Sequence, residues 1–116
     1  MIDADRPHPE SVYAIAHRME LFCIAITESD RRYKTRKDIA MALGIKPQML
    51  SFYTSETSPI TVPPEVVRQM LRVFHVDANY IYHGDMRSLP HGIALEIGLA
   101  AEVYANRKGK RPHRHI

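Results

Sequence analysis

Cysteine is almost missing from this sequence: Cys23 is the only one in 116 residues. No disulfide can form within these residues, which excludes the small scaffolds that disulfides hold together. Cys23 lies in the apolar run LFCIAI. This setting predicts a buried thiol that packs as a small hydrophobic residue rather than a reactive nucleophile.

Tryptophan is absent and aromatic residues make up only 8% of the chain, although 45% of its residues are hydrophobic. A core must therefore be built mainly from isoleucine, leucine, valine, methionine and alanine, a composition that suits helices. The length fits one domain, and the hydrophobic fraction is that of a globular protein rather than a disordered one. We expect an all-α protein.

Long apolar runs are also missing. Nowhere do about 18 apolar residues follow one another, so we expect no membrane partner. The first ten residues hold Asp3, Asp5, Pro7 and Pro9 in place of an apolar leader, which favours a cytoplasmic protein. We expect residues 1–10 to form an N-terminal arm.

The signatures of catalysis are missing too, and we expect no enzyme. The sequence has no glycine-rich phosphate loop, no nucleophile turn and no pair of carboxylates in a predicted cleft. Its histidines are dispersed without zinc-like spacing, so no metal or other cofactor is expected. The seven are His8, His17, His75, His83, His91, His113 and His115, of which the last two alone are close together.

Positive charge is present in moderate amount but is unevenly distributed. The net charge of +3 divides into −3 for residues 1–29, +3 for 30–56, −1 for 57–85 and +4 for 86–116. A protein that meets phosphates with one face needs such clustering. A charged surface that only faces solvent is the alternative.

The most informative stretch is RKDIAMALGIKPQMLSFYTS, residues 36–55. Ile39 and Leu43 are four residues apart and share one helix face, and Leu50 and Tyr53 are three apart on a second helix. Both faces can then contact one core. This pattern predicts a helix-turn-helix.

Three further residues fit the same geometry. Gly44 follows the first helix, where a left-handed conformation is usual. Pro47 suits the first position of the second helix, because its fixed φ and missing N–H cost nothing there. Thr35 is placed to cap the first helix. An ordinary helical hairpin without a ligand is the alternative reading.

Four more helices are predicted around this motif. The first runs from about Ser11 to Thr27, and another begins at Pro64 and ends near Phe74, with Leu71 on its buried side. Asp77 caps a short fifth helix that ends at Gly84. After the second motif helix, SETSPITVPP, residues 55–64, should be an extended loop whose Ile60 and Val62 fold back onto the core.

The last part of the sequence is divided into a helix and a tail. A sixth helix is predicted over 89–106, either completing the core of its own chain or pairing with a second copy. Residues 107–116, RKGKRPHRHI, hold five basic residues and nothing that would bury a core, so a flexible basic tail is expected. The domain itself is predicted to cover 11–88.

TRKDIAMALGIKPQMLSFY, followed by PPEVVRQMLRVFHVDANYIYHGD, resembles the DNA-binding domain of the Xre type, the family of the lambda-repressor and Cro proteins. The likeness covers about residues 10–85 and is most specific in the IAxxLGI turn and the FHVDANYIYHGD ending. Lys46 and Thr54 depart from the family, which usually has a Ser or Thr cap and an acidic residue there. The resemblance implies a five-helix lambda-repressor-like DNA-binding domain, here with a C-terminal helix and a basic tail.

A helix in the major groove presents its first residues to base edges while neighbouring groups contact phosphates. The base-contacting candidates are therefore Gln48, Ser51 and Phe52, although Phe52 could instead pack inward. The phosphate-contacting candidates are Arg36 and Lys46, then Lys37, Arg32 and Lys34.

The expected function is sequence-specific binding of double-stranded DNA by a transcriptional regulator. We expect a repressor that acts as a homodimer on a palindromic operator, because one recognition helix buries little surface. The alternative is a helix-turn-helix module that binds a protein partner, as an adaptor or an antitoxin, since fold alone does not fix function.

Overall fold

The computed structural model describes residues 8–113, with side chains through Lys108, and this part of the chain contains six helices and no strand. The all-α prediction is confirmed for these residues. Most of the expected arm 1–10 and the end of the tail 107–116 lie outside them. The helices are α1 Val12–Ser29, α2 Arg36–Leu43, α3 Pro47–Tyr53, α4 Pro64–Phe74, α5 Ala78–His83 and α6 His91–His113.

Side-chain caps begin three of these helices. The Ser11 hydroxyl accepts a hydrogen bond from the Ala14 N–H at the start of α1. Thr35 and Asp38 form a reciprocal capping box at the start of α2, and Asp77 accepts from the Tyr80 N–H at the start of α5. Each cap satisfies backbone donors that the first helical turn leaves unpaired.

The core is arranged along α1, which contacts α2, α5 and α6. Met19, Phe22 and Cys23 on this helix are fully buried. The Phe22 ring meets the Phe74 ring of α4 edge to face, with 5.2 Å between centroids. Burial also raises the pKa of the Cys23 thiol to about 12, so the sulfur is a protonated packing group, as the sequence predicted.

α6 packs along α1 in the antiparallel direction, since its first turn lies near Ile26 and its Tyr104 lies beside His17. Tyr104 near one end stacks edge to face on His17, and Ile97 and Ala100 are buried in the core. The helix ends at His113, beyond the Asn106 boundary expected from apolar spacing. Its last turns are mostly polar, so the spacing of apolar residues could not predict them. None of the described helices has both the length and the apolar character needed to span a membrane.

Two exposure predictions were wrong. Leu71, expected on the buried side of α4, is 48% exposed, and Ile60 is 47% exposed instead of folding onto the core. Val62 does fold back, and its carbonyl accepts a hydrogen bond from the Tyr82 hydroxyl at 2.7 Å. The proline-containing loop is therefore anchored at Val62 but displays Ile60.

His75, which ends α4, adopts a left-handed conformation with φ 63°. A side chain costs about 1–2 kcal/mol in this region, whereas glycine enters it freely. We expect His75→Gly to raise the free energy of unfolding by about 1 kcal/mol in urea denaturation. Gly44→Ala is the inverse control, because it adds a side chain at a φ of 73°. No described atom lies within 4 Å of the added Cβ, so the backbone conformation alone is tested. Destabilisation by His75→Gly would contradict the argument.

Candidate nucleic-acid interface

α2 and α3 pack against each other across a turn at Gly44. Gly44 has the left-handed φ of 73° that the sequence predicted, and the Ile45 N–H donates to the Ala40 carbonyl at 3.0 Å, which closes the turn. Leu50 and Tyr53 anchor α3 in the core. The opposite side of α3 is left facing solvent.

The first residues of α3 are on the surface. Lys46, Pro47 and Gln48 are all exposed, and Pro47 occupies the first turn as predicted. Lys46 precedes the helix in an extended conformation and makes no side-chain cap. Its side chain is thus not used to satisfy the helix end.

The three candidate base-contacting residues share this exposed side of α3. Gln48, Ser51 and Phe52 are spaced three and four residues apart, which places them on one face. The Ser51 hydroxyl donates back to the Pro47 carbonyl at 3.3 Å. Phe52 is 37% exposed and is not part of the buried core cluster. The Phe52 carbonyl accepts from the Ile60 N–H at 3.2 Å, which brings the loop beside the face.

The three lysines among the phosphate-contacting candidates are exposed. Lys34 and Lys37 lie at the start of α2, and Lys46 lies in the turn before α3. Within the described part of the chain, none of their ammonium groups forms a salt bridge. They present positive charge on both sides of the turn.

The two arginine candidates are engaged with carboxylates. Arg36, half-buried, donates through both terminal nitrogens to Glu20 of α1 at 2.8 Å each. Burial acts to lower the pKa of Arg36, but the hydrogen bonds to Glu20 outweigh it and the net pKa is raised. Arg32 pairs similarly with Asp30, at 3.1 and 2.8 Å. Phosphate would compete with these carboxylates for either guanidinium.

One cluster near this surface was missed by sequence reasoning. Glu56, three residues beyond α3, accepts hydrogen bonds from the Tyr104 hydroxyl at 2.6 Å and from Lys108 Nζ at 2.8 Å. Tyr104 is 48 residues from Glu56 along the chain, and Lys108 is 52 residues from it. No spacing signal joins residues that far apart, so only the folded structure reveals the contact.

No group of three or more His, Cys, Asp or Glu residues within the described range could hold a metal ion. Searches of the chain against protein-family models, curated proteins and solved structures found no match.

Proposed function

We propose that this protein is an Xre-type, lambda-repressor-like regulator that binds double-stranded DNA sequence-specifically through α3. The observation that supports this most directly is the exposed face of Gln48, Ser51 and Phe52, held by the buried Leu50 and Tyr53 of the same helix. A recognition helix needs an exposed polar face and a buried anchor, because base contacts require accessible side chains at a fixed position.

In the proposed complex α3 enters the major groove by its Pro47 end. The Gln48 amide donates to and accepts from adenine, and Phe52 contacts a thymine methyl group. The Ser51 hydroxyl has a bond within the helix that it can exchange for one to a base edge. Pro47 offers no hydrogen-bonding side chain, so base readout is concentrated on few residues.

Phosphate contacts in this proposal come from the exposed lysines Lys34, Lys37 and Lys46. Arg36 and Arg32 are secondary, because each must release a carboxylate before it can bind a phosphate. Arg36 also serves the interface indirectly, since its two bonds to Glu20 tie the start of α2 to α1.

Binding as a homodimer on a palindromic operator completes the proposal. One recognition helix buries too little surface for tight binding, and paired half-sites lie about 34–36 Å apart. Leu95 and Leu99 are 55% and 47% exposed and four residues apart on α6, which supports this helix as the contact with a second copy. Repression then follows from occupying the operator.

A protein-binding module or antitoxin is the alternative, and one observation favours it. Met41, Phe52 and Ile60 are exposed apolar side chains on or beside the helix-turn-helix, with Met41 at 69% exposure. Exposed apolar groups are common at protein interfaces. A second protein that copurifies with the chain and is lost on Phe52→Ser would support this alternative.

Selection of binding sites from random duplexes with the purified protein tests the proposal. We expect enrichment of a palindrome whose half-sites contain an adenine within reach of Gln48. The selection reports DNA binding, specificity and symmetry in one experiment. An enriched pool no different from the input would reject the proposal in favour of the protein-binding alternative.

Lys46→Ala is expected to weaken binding to the selected duplex and to a random duplex alike. The loss of one phosphate contact should reduce the slope of log affinity against log salt by about 1. Titrations at several salt concentrations measure the slope, with Lys46→Arg as the charge-matched control that keeps it. A loss confined to the selected duplex would show that Lys46 does not act through phosphate.

A further inference from the structure

Glu56 connects the loop after α3 to the distal part of α6. Its carboxylate accepts from the Tyr104 hydroxyl at 2.6 Å and pairs with Lys108 Nζ at 2.7 Å. Lys108 Nζ also lies 5.6 Å from the centroid of the Tyr104 ring, and that ring stacks edge to face on His17 of α1. We refer to Glu56, Tyr104, Lys108 and His17 as the Glu56 cluster.

The segment that carries Glu56 is joined tightly to α3. Thr54 Oγ1 donates to the Leu50 carbonyl at 3.1 Å, which continues the end of the helix. The Ser55 hydroxyl accepts from the Thr57 and Ser58 N–H groups at 3.2 and 3.0 Å. A displacement of Glu56 is therefore passed to the end of α3 through bonded neighbours.

Apolar packing holds the chain on either side of this segment, at Tyr53 and Val62, but not at Glu56 itself. A solvent-open cavity of about 240 Å³ lies between it and α1, lined by Thr54, Ser55 and Glu56 of the segment, by Tyr13, His17 and Glu20 of α1, and by Tyr104 of α6. Close packing of side chains would hold the segment without help from polar groups, but the cavity interrupts it. The contacts of Glu56 with α6 thus supply the constraint across this gap.

We propose that Tyr104 and Lys108 are positioning residues that hold the 54–60 loop through Glu56 and thereby fix the C-terminal end of α3, in addition to the core anchors Leu50 and Tyr53. The effect on DNA binding rests on the proposed function, whereas the effect on the loop and on α3 does not. In this way α6, which packs on α1, also contributes to the placement of the candidate recognition helix.

The protonation states suit a lasting contact. Hydrogen bonds from Lys108 and then Tyr104 lower the pKa of the Glu56 carboxyl, so it stays ionised at neutral pH. Burial, followed by the bond to Glu56, raises the pKa of the Tyr104 hydroxyl to about 12, so it remains a donor. A charged acceptor strengthens both bonds, but Glu56 and Lys108 are about half exposed, so solvent screens their attraction and the expected effects are modest.

Amide hydrogen exchange on the full chain tests the proposal without DNA. Tyr104→Phe removes the hydroxyl and keeps the ring on His17. We expect exchange to become about threefold faster in the 54–60 loop and at the C-terminal end of α3, with no change in the core amides of α1. Glu56→Gln should act similarly, because it removes the charge that strengthens the contacts with Tyr104 and Lys108. The double variant should exceed the larger single effect by little, because both substitutions weaken the same Tyr104–Glu56 contact.

Lys108 has a matched control in its neighbour. Lys108→Met should raise the amide exchange rate of the 54–60 loop, whereas Lys108→Arg should keep the rate of the unsubstituted protein. Arg107→Met should also leave the rate unchanged, although it removes the same charge. Unchanged exchange in the loop and α3 of Tyr104→Phe and Glu56→Gln would overturn the proposal. So would equal acceleration throughout the chain, because that reports a general loss of stability.

Titration with the selected duplex tests whether the Glu56 cluster affects DNA binding. Tyr104→Phe should raise the Kd about threefold with the salt slope unchanged, since no charge is lost. Faster loop and α3 exchange with an unchanged Kd would overturn the positioning role for DNA. If the unsubstituted protein binds no duplex, the proposed function fails, and the exchange result alone decides whether the Glu56 cluster positions α3.

Discussion

Replacing Phe22 with alanine is expected to lower the free energy of unfolding by about 3–5 kcal/mol. Phe22 is fully buried near the middle of α1, and its ring meets Phe74 of α4 at 5.2 Å. Phe74 in turn stacks on Tyr33 at 5.0 Å. Truncation therefore removes a ring from a chain of three and leaves a cavity that its neighbours can fill only in part.

The expected loss is a large share of the stability of a small domain, which is about 5–15 kcal/mol in total. Urea denaturation followed by circular dichroism measures it, with the slope against denaturant checked for change. Tyr13→Ala is the matched control, because Tyr13 is an aromatic residue of the same helix that is 51% exposed. Equal losses for the two variants would contradict the assignment of Phe22 to the centre of the core.

The features of the fold that could be predicted from the sequence are those encoded by neighbouring residues. Gly44 marks the turn because glycine tolerates a φ of 73°, and Thr35 marks a helix start because its hydroxyl accepts a hydrogen bond from the Asp38 N–H. Pro64 and Phe74 bound α4 as predicted. In each case the physical cause lies within four residues of the observed feature.

Contacts between distant residues could not be predicted in this way. The pairing of Arg36 with Glu20 depends on how α2 lies on α1, and it changes a candidate phosphate contact into a half-buried structural bond. The Glu56 contacts depend on where the last turns of α6 lie. Leu71 was wrongly placed because helical spacing defines an apolar face but not the width of that face covered by neighbouring helices.

Replacing Gln48 with alanine is expected to weaken binding to the selected duplex by about 1–3 kcal/mol and to relax specificity at one base pair. Gln48 is exposed near the start of α3, and its amide is the one side chain among the three base-contacting candidates that can bond adenine at two positions. Removing it leaves the adenine edge without protein partners and leaves the phosphate contacts in place.

The decisive measurement is the ratio of affinities for the selected and the random duplex, at one salt concentration, for the original protein and for Gln48→Ala. We expect the ratio to fall roughly 5- to 150-fold while the random-duplex affinity and the salt slope stay constant. Asn79→Ala removes an exposed amide from α5 and should change neither affinity. Equal losses on both duplexes would mean that Gln48 contacts the backbone, and base reading would then pass to Ser51 and Phe52.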